Sequence, residues 1–303
     1  MSESRHNPDK LLKEIQVDEE NRNRGHLKIF FGYAAGVGKT YAMLEAAHME
    51  KQQGIDVVAG YVETHARPKT AALLNGLEVL PTREVFYNGM ILDEFDIGMA
   101  LKRKPQLILV DELAHTNAEG CRHAKRYQDI KELLNAGIDV YTTVNVQHIE
   151  SLCDTVASIR EIVVRERIPD SIFDNADQVE LIDIEPQDLI NRLNTGNVYR
   201  QTQEKQAVEN FFTIENLTAL REISLRRCAD RVNILTENTR IKNHGDYHTG
   251  EHILVCLSSS PSNAKIIRTA AKMASAFKGE FTALFVETPD FSVMSEENVK
   301  RLR

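Results

Sequence analysis

The chain of 303 residues is long enough for about two domains, and its 42% apolar and 27% charged residues are typical of a folded globular protein. Its 37 basic and 45 acidic side chains give a net charge of −8, which argues against non-specific binding to nucleic acid or to an anionic membrane surface. No apolar run approaches the roughly 20 residues that span a bilayer, and none of the four cysteines has a partner at C-x-x-C spacing, so we expect a cytoplasmic chain with neither a membrane span nor a zinc ribbon.

After a polar leader at residues 1–23, a buried strand is predicted over residues 27–31, and it runs directly into the glycine-rich sequence GYAAGVGKT at positions 32–40. Gly36 and Gly38 have no Cβ, so the backbone can adopt positive φ and turn consecutive N–H groups toward phosphate oxygens. Lys39 can reach the β- and γ-phosphates, and the Thr40 hydroxyl is placed to ligate Mg²⁺. The residues predicted to bind a nucleoside triphosphate, with ATP and Mg²⁺ as the expected ligands, are Gly32, Ala35, Gly36, Val37, Gly38, Lys39 and Thr40.

The spacing of this sequence departs from the standard P-loop pattern G-x-x-x-x-G-K-[ST], which requires glycine at position 33. The chain has Tyr33 there and Gly32 one residue earlier, which leaves open a loop one residue longer than the standard one. A helix predicted over residues 41–53 and ended by Gly54 supports a ligand-binding loop, because strand, loop and helix follow one another in order. The alternative is a glycine turn that binds no ligand.

Apolar runs after the loop predict strands that alternate with helices. Strands are predicted over residues 55–62, 85–87, 107–110, 138–144 and 179–184, and helices over residues 67–76, 93–102, 123–136, 186–194 and, as two segments, 203–236. Near-continuous apolar strands in repeated βα units predict an α/β fold of the P-loop NTPase type. Its mostly parallel sheet is expected to carry helices on both faces, with a C-terminal helical extension.

Two carboxylates follow the apolar strand at residues 107–110. Asp111 stands at the end of that strand, as a Walker B aspartate does, and is predicted to hold Mg²⁺ together with Thr40, either directly or through water. Glu112 is a tentative catalytic residue that orients or deprotonates an attacking water. The alternative for Glu112 is a solvated loop carboxylate or a brace for its neighbours.

Further polar side chains follow Asp111 and the next predicted strand, where the carboxyl ends of parallel strands face a ligand crevice. Asn145 or Thr143 is a candidate contact to the γ-phosphate, and Asn145 is included as a tentative nucleotide-binding residue. His115 and His148 are interpreted as structural donors that tie loops together, because metal ligation needs a third ligand that the spacing does not identify.

The remaining chain predicts a linker and the start of a second domain. Residues 237–250 are polar with two glycines, and from residue 251 to 303 the βα pattern restarts, with strands at 253–257 and 281–286 around a helix at 264–278. Two strands cannot bury both faces of a parallel sheet, so this domain is expected to be truncated. Upstream of the linker, arginines at positions 221, 226, 227 and 231 are predicted to form a solvated, ion-paired helix face.

The strings GYAAGVGKT, VDELAHTN, RHAKRYQDI, AGIDVYTTVNVQHIESL and NLTALREISLRRCADRV resemble the N-terminal cytoplasmic region of the KdpD sensor histidine kinases. The resemblance covers residues 24–236, and residues 251–303 resemble the start of the universal-stress-protein-like domain that follows in that family. It implies an ATP-binding sensor region that controls potassium-uptake genes through a response regulator of the KdpE type. Relatives continue into transmembrane helices and a kinase module, so the chain as given is not expected to autophosphorylate.

A second part of the resemblance concerns cyclic di-AMP. The pattern Ser258-x-Ser260 followed by residues 281–285 is similar to a signature associated with cyclic di-AMP binding in Gram-positive members of the family. The residues it implies are Ser258, Ser260, Phe281, Thr282, Ala283 and Phe285. Phe285 stands where that signature has tyrosine, which keeps stacking and removes a phenolic hydroxyl. Taken without the resemblance, the serines are also explained as a helix N-cap run.

An alternative function from another class is a stand-alone P-loop ATPase or small kinase that uses Glu112 as its catalytic base. The adjacent carboxylates Asp111 and Glu112 favour this alternative. Turnover of ATP discriminates an enzyme from a sensor region that only binds the nucleotide.

Overall fold

The computed structural model describes residues 24–64, 67–87, 89–160, 164–194, 212–243, 252–257, 263–276 and 279–286. The chain forms two compact units, which meet in sequence between Asn233 and Ile234. Predicted features that lie outside the described residues are the leader at 1–23, the first helical segment after residue 203, and Ser258 and Ser260.

The larger unit is built on a central sheet. Its described strands are β1 (Leu27–Gly32), β2 (Val57–Tyr61), β3 (Glu78–Val79), β4 (Arg83–Tyr87), β5 (Met90–Glu94), β6 (Leu107–Val110), β7 (Asp139–Asn145) and β8 (Gln178–Leu181). Six of them form one sheet in the order β3-β2-β6-β7-β1-β8, and every pairing within it is parallel. The predicted α/β class with a mostly parallel sheet is therefore confirmed.

Helices connect these strands, as the alternation in the sequence predicts. In the larger unit they are α1 (Lys39–Gln52), α2 (Pro68–Ala72), α3 (Ile97–Arg103), α4 (Arg126–Asn135), α5 (Cys153–Arg160), α6 (Asp170–Asp174) and α7 (Pro186–Arg192). The long helix α8 (Ile214–Asn243) follows, and the boundary between the two units falls within it. Two short 3₁₀ turns, Val146–His148 and Glu150–Leu152, lie between β7 and α5.

The core lies on both faces of the sheet, because successive residues of a strand point to opposite sides. Phe31 and Ile108 pack on the face that α4 covers through Ile130, whereas Phe30 packs on the opposite face against Met43 of α1. All five side chains are buried almost completely. The two-sided burial explains why these strands are apolar without alternation.

The predicted helix over residues 93–102 is wrong in its first turn. Residues 90–94 instead form β5, which pairs antiparallel with β4, and the helix begins only at Ile97. Asp96 caps this helix, since its carboxylate accepts a hydrogen bond from the Met99 N–H at 3.0 Å. The Asn88-Gly89 dipeptide between the two strands is a hairpin signal that indicates this turn in the sequence.

Other boundaries also differ from the predictions. The helix predicted over residues 67–76 ends at Ala72, and the short helices between residues 146 and 174 had no prediction. Helix α8 continues to Asn243, so the first seven residues of the predicted linker at 237–250 are helical. The polar residues there include neither glycine nor proline before Gly245, and nothing in the sequence stops the helix earlier.

The smaller unit contains the parallel strands β9 (His252–Leu257) and β10 (Glu280–Phe285) and the helix α9 (Asn263–Ala276) between them. Ala270 and Ala274 are buried on one face of α9, whereas Leu254 of β9 is 59% exposed. In the part of the chain that the structure describes, no helix is long and apolar enough to cross a membrane.

Candidate functional site

The connection from β1 to α1, called here the glycine loop (residues 33–38), has the backbone geometry that its glycines predict. Gly36 has φ 91°, and Gly38 has φ 115° as the residue that precedes α1. A Cβ on Gly32 would lie 2.7 Å from the Val37 side chain and 3.2 Å from the Lys39 side chain. Glycine is thus required at position 32, where the loop folds back over the strand end.

Tyr33, which departs from the standard spacing, is a buried structural residue. Its side chain is 0% exposed, and its hydroxyl donates to the Ile184 carbonyl at 3.1 Å. Burial raises the pKa of Tyr33 to about 12, with a further contribution from the charge of Asp183. The ring ties the start of the glycine loop to the segment after β8, a contact between positions 151 residues apart.

Lys39 and Thr40 begin α1 at the carboxyl edge of the sheet. The Lys39 ammonium is buried and donates to the Ala34 carbonyl across the glycine loop at 3.0 Å. Burial lowers the pKa of Lys39 to about 8, and the nearby carboxylate of Asp111 opposes that shift. Burying an ammonium costs folding free energy. At this position the ammonium can interact with an anion at the glycine loop.

Thr40 meets Asp111 as the sequence predicts. The Thr40 hydroxyl donates to Asp111 Oδ2 at 3.0 Å, although 71 residues separate the two positions. Asp111 is 2% exposed, and its other oxygen accepts a hydrogen bond from the Thr143 hydroxyl. Strand β7 lies between β1 and β6 and supplies Thr143 to this cluster. Hydroxyl and carboxylate oxygens are the ligand types that Mg²⁺ prefers.

These groups line one cavity of about 110 Å³ at the carboxyl edge of the sheet, called here the polar cavity. Its lining residues are Ala35, Gly36, Gly38, Lys39, Thr40, Arg67, Asp111, Glu112, Ala114, His115, Thr143, Val144, Asn145, His148 and Glu166. The buried Oδ1 atom of Asn145 has no hydrogen-bond partner among the described residues. Buried polar atoms are normally paired, so Asn145 Oδ1 is available to accept a hydrogen bond within this cavity.

Glu112 has a left-handed backbone with φ 59°, which is unusual for a residue with a Cβ. Its N–H donates to Asp111 Oδ1 at 3.1 Å, and its carboxylate oxygen lies 3.9 Å from the Arg126 guanidinium. The side chain is 40% exposed and lines the polar cavity. The alternatives for Glu112 are a water-directing base and a solvated loop carboxylate or brace, and this position is compatible with all of them.

Arg126 is a buried residue of the site, and its role is not predicted by the sequence pattern. Its side chain is 0% exposed, stacks over the Tyr61 ring at 4.1 Å, and donates to the Asp111 carbonyl at 3.3 Å. It also pairs with the Glu94 carboxylate at 3.1 Å. One guanidinium thus joins the ends of β5 and β6. The only sequence signal was its presence in the RHAKRYQDI string.

Glu94 is held charged by several partners. Burial raises its pKa, but hydrogen bonds from His115 and from the Ala118 N–H, with the charges of His115 and Arg126, outweigh burial and bring the pKa below its usual range. His115 Nε2 lies 3.2 Å from the Glu94 carboxylate. The structure therefore places His115 as a loop-tying side chain, as the sequence analysis interpreted it.

His148 has a similar structural contact, since its Nδ1 lies 2.9 Å from the Glu166 carbonyl. Among the residues that the structure describes, no group of three or more His, Cys, Asp or Glu side chains is arranged to hold a metal ion. A metal at this site would therefore depend on Thr40, Asp111 and the oxygens of a ligand, as Mg²⁺ does with nucleotide phosphates.

The part of the chain that contains this site matches a known protein family. Residues 23–232 match the family described as "KdpD: Osmosensitive K+ channel His kinase sensor domain". The chain belongs to the KdpD sensor-domain family. The matched residues include the whole central sheet and the polar cavity.

Several curated KdpD proteins are similar to this chain. Sensor protein KdpD of Clostridium acetobutylicum is 58% identical over 287 residues, which cover 94% of this chain and 32% of that protein. Sensor protein KdpD of Escherichia coli is 50% identical over 298 residues, covering 97% and 33%. Sensor protein KdpD of Mycobacterium tuberculosis is 46% identical over 272 residues, covering 89% and 32%. The chain spans about a third of the length of these KdpD relatives.

Arg221, Arg226 and Arg227 of this KdpD-family chain form ion pairs as predicted, whereas Arg231 donates to the Phe173 carbonyl, and the cluster is not uniformly solvated. Arg221 pairs with Asp183 at 2.7 Å, and Arg227 pairs with Asp174 at the same distance. Arg227 and Arg231 are only 6% and 7% exposed, because α8 lies against α6 and the residues that follow it. The prediction of a solvated face is therefore wrong for these two side chains.

The residues implied for cyclic di-AMP in the KdpD family fall in the smaller unit. Ser258 and Ser260 lie outside the described residues. Phe281 and Thr282 are exposed on β10, and Thr282 Oγ1 lies 2.8 Å from His252 Nε2 of β9. Ala283 and Phe285 follow on the same strand. Their predicted role stays a prediction.

Proposed function

We propose that the larger unit binds Mg·ATP at the glycine loop and the polar cavity. The observation that carries this proposal is the 3.0 Å contact between the Thr40 hydroxyl and Asp111 Oδ2, which pairs a loop hydroxyl with a strand-end carboxylate. In P-loop proteins a serine or threonine hydroxyl and a Walker B aspartate hold the magnesium ion of the nucleotide. The same two donor types meet here at the wall of one cavity.

The charge around this contact suits a triphosphate. The buried Lys39 ammonium and the N-terminal N–H groups of α1 supply positive charge, and Gly36 and Gly38 have the positive φ that lets a loop turn its N–H groups toward phosphate oxygens. When bound, Mg²⁺ would neutralise part of the phosphate charge. Lys39 would then exchange its bond to the Ala34 carbonyl for the stronger one to phosphate.

We expect Thr40→Ala and Asp111→Asn each to weaken ATP binding about tenfold in the presence of Mg²⁺. Each variant loses one oxygen that would hold the Mg²⁺ ion of the bound nucleotide. Titration calorimetry of the whole chain with and without Mg²⁺ measures this. The affinity of the parent should fall when Mg²⁺ is withdrawn, whereas the affinities of the variants should change little.

Thr82 and Asp93 provide a matched control, since the Thr82 hydroxyl donates to Asp93 Oδ1 at 3.1 Å in an exposed part of the β4–β5 hairpin. Thr82→Ala and Asp93→Asn remove the same chemistry outside the polar cavity and should leave ATP affinity as it is in the parent. Equal affinities for ATP in the parent, Thr40→Ala and Asp111→Asn would contradict the proposed site.

The proposed role of this binding is regulatory. The relatives are named sensor proteins, the family description refers to a histidine-kinase sensor domain, and the chain covers only about a third of those relatives. Within a full-length kinase, a Mg·ATP-binding sensor region would control phosphorylation of a KdpE-type response regulator and, through it, potassium-uptake genes. ATP occupancy would then be an input distinct from the substrate ATP of the kinase module.

A second candidate function is ATP hydrolysis with Glu112 as the base. The strained backbone at φ 59° favours it, because residues in such conformations concentrate at active sites. The carboxylate also lines the polar cavity beside the predicted magnesium ligands. ATP binding without hydrolysis supports the sensor function, whereas ATP hydrolysis that depends on Glu112 supports the enzymatic function.

Cyclic di-AMP binding by the smaller unit is a further part of the proposal. It is supported by the resemblance of Ser258, Ser260 and residues 281–285 to the signature and by the exposure of Phe281, a side chain on which a base can stack. We expect cyclic di-AMP to release heat on titration into the parent and at least tenfold weaker binding by Phe281→Ala, given the stacking energy per base. A parent that binds no cyclic di-AMP while its fold is intact by circular dichroism would end this part of the proposal.

A further inference from the structure

A second cavity also borders the glycine loop, at Gly36, Val37 and Gly38, and is called here the side cavity. Its volume is about 510 Å³, within the range of about 300–1,000 Å³ that is usual for small-molecule sites. Apolar side chains contribute much of its wall, among them Val37, Tyr41, Pro68 and Ile182. The side cavity is therefore larger and less polar than the polar cavity beside it.

The two cavities are adjacent because they share three lining residues. Gly36, Gly38 and Arg67 line both of them. A molecule whose phosphates lie against Lys39 and Thr40 can thus continue past the glycine loop into the side cavity. Arg67 stands where the two parts of such a molecule would join, and its charge contributes to lowering the pKa of Lys39.

Tyr41 supplies an aromatic ring on which a nucleobase can stack. It directly follows Thr40 in α1, so its ring is placed one helical position from the predicted magnesium ligand. The side chain is 38% exposed, and its hydroxyl lies beside Glu45, one helical turn further on. Tyr41 also lines the side cavity, so part of its ring is available for stacking there.

Ile182 and Arg192 also line the side cavity. Ile182 approaches to 3.9 Å and the Arg192 guanidinium to 4.0 Å from the position that a Cβ on Gly38 would occupy. Arg192 also donates to the Val37 carbonyl at 3.5 Å, which holds it at the cavity wall. An aliphatic side chain, an aromatic ring and a guanidinium are surfaces on which planar bases stack.

We propose that the side cavity holds the base and ribose of the nucleoside triphosphate, with Tyr41 as its stacking platform. This inference rests on the proposed function, because it takes the triphosphate to lie at the glycine loop. Tyr41 is then a residue that determines specificity for a nucleotide over a simple polyphosphate. The sequence pattern of the loop contains no information about the base.

The test compares ATP with inorganic tripolyphosphate, which carries the phosphates without the base. Titration calorimetry of the whole chain with Mg²⁺ should show tighter binding of ATP than of tripolyphosphate by the parent. We expect Tyr41→Ala to weaken ATP binding about tenfold, as base stacking energies indicate, and to leave tripolyphosphate binding unchanged. Lys39→Ala should weaken binding of both ligands.

Two variants make this result specific to the ring. Tyr41→Phe keeps the aromatic surface and should retain the ATP affinity of the parent. Tyr87→Ala removes a tyrosine of similar exposure, 40%, from the β4–β5 hairpin and should change neither affinity.

The outcomes separate this inference from the proposed function. Equal binding of ATP and tripolyphosphate by the parent, or unchanged ATP affinity in Tyr41→Ala, would overturn the base site while the phosphate site stands. Binding of neither ligand by the folded parent would overturn the phosphate site and the base site together.

Discussion

Replacing Arg126 with methionine is expected to lower the free energy of unfolding by about 3–5 kcal/mol at pH 7, the usual cost of removing one partner of a buried ion pair. The guanidinium is completely buried, and its loss leaves the Glu94 carboxylate, itself 5% exposed, with His115 as its remaining basic partner. Methionine keeps most of the aliphatic stem and removes the guanidinium that stacks over Tyr61, so the loss reports the charged group more than the volume of the stem. Urea unfolding followed by circular dichroism measures it.

The pH dependence of this loss has a definite sign. In the parent, the pKa of Glu94 lies below its usual range, so the ionised carboxylate contributes stability that is present above the unfolded-state pKa of about 4.3 and is lost as the pH falls through the folded-state pKa. Hydrogen bonds from His115 and the Ala118 N–H, and the charges of His115 and Arg126, share in this depression of the pKa. Without Arg126 the folded-state pKa of Glu94 rises, and protonation then relieves the uncompensated charge. The difference in stability between parent and Arg126→Met should therefore shrink between pH 7 and pH 4.

A double variant supplies the control. Glu94→Gln removes the charge that Arg126 compensates, so Arg126→Met combined with Glu94→Gln should cost less than the sum of the two single changes. His115 retains a hydrogen-bond partner in glutamine, which limits side effects on its loop. A loss in Arg126→Met that is the same at pH 7 and pH 4, and additive with Glu94→Gln, would show that the pair is not the source of the stability.

Replacing Glu112 with glutamine is expected to lower any ATP turnover by about 10²–10⁴-fold while leaving ATP affinity unchanged, if the second candidate function holds. Glutamine retains the size of the side chain and can still occupy its place near Arg126, but it cannot accept a proton from water. Steady-state phosphate release over a range of ATP concentrations separates kcat from KM.

Glu112→Gly examines the backbone of the same residue. Glycine adopts φ 59° without the steric penalty that a Cβ incurs, so this variant should be as stable as the parent or more stable by up to about 1 kcal/mol. It should nevertheless lose turnover to the same extent as Glu112→Gln. Such a result would mean that the strained backbone serves chemistry rather than the fold.

Parent turnover no faster than that of ATP alone would remove the enzymatic candidate and leave the binding site as a sensor. Turnover that is measurable but unaltered in Glu112→Gln would instead assign Glu112 to the brace interpretation. Glu166 lines the same cavity and offers a comparison, since Glu166→Gln should leave kcat unchanged if Glu112 is the base.

The local pattern of the sequence was sufficient for the strand, loop and helix around Lys39 and for the strand that ends at Asp111. These elements depend on apolar periodicity and on glycines that permit positive φ, and both are properties of neighbouring residues. The predicted helix at residues 93–102 failed for a related reason. Its first residues follow helical spacing, but pairing of β5 with β4 outweighs that preference, and the Asn88-Gly89 dipeptide is the local sequence signal for the hairpin.

The sequence by itself determined the α/β class, the glycine loop and the carboxylates at positions 111 and 112. Only the tertiary structure decided that β7 lies between β1 and β6, that Tyr33 is buried against the segment after β8, and that Arg126 pairs with Glu94. The side cavity with Tyr41 also exists only in three dimensions. The physical reason is the separation along the chain. Loops and strands follow from the pattern of adjacent residues, whereas these contacts join residues that are far apart in the sequence, and local periodicity does not specify how such residues pack.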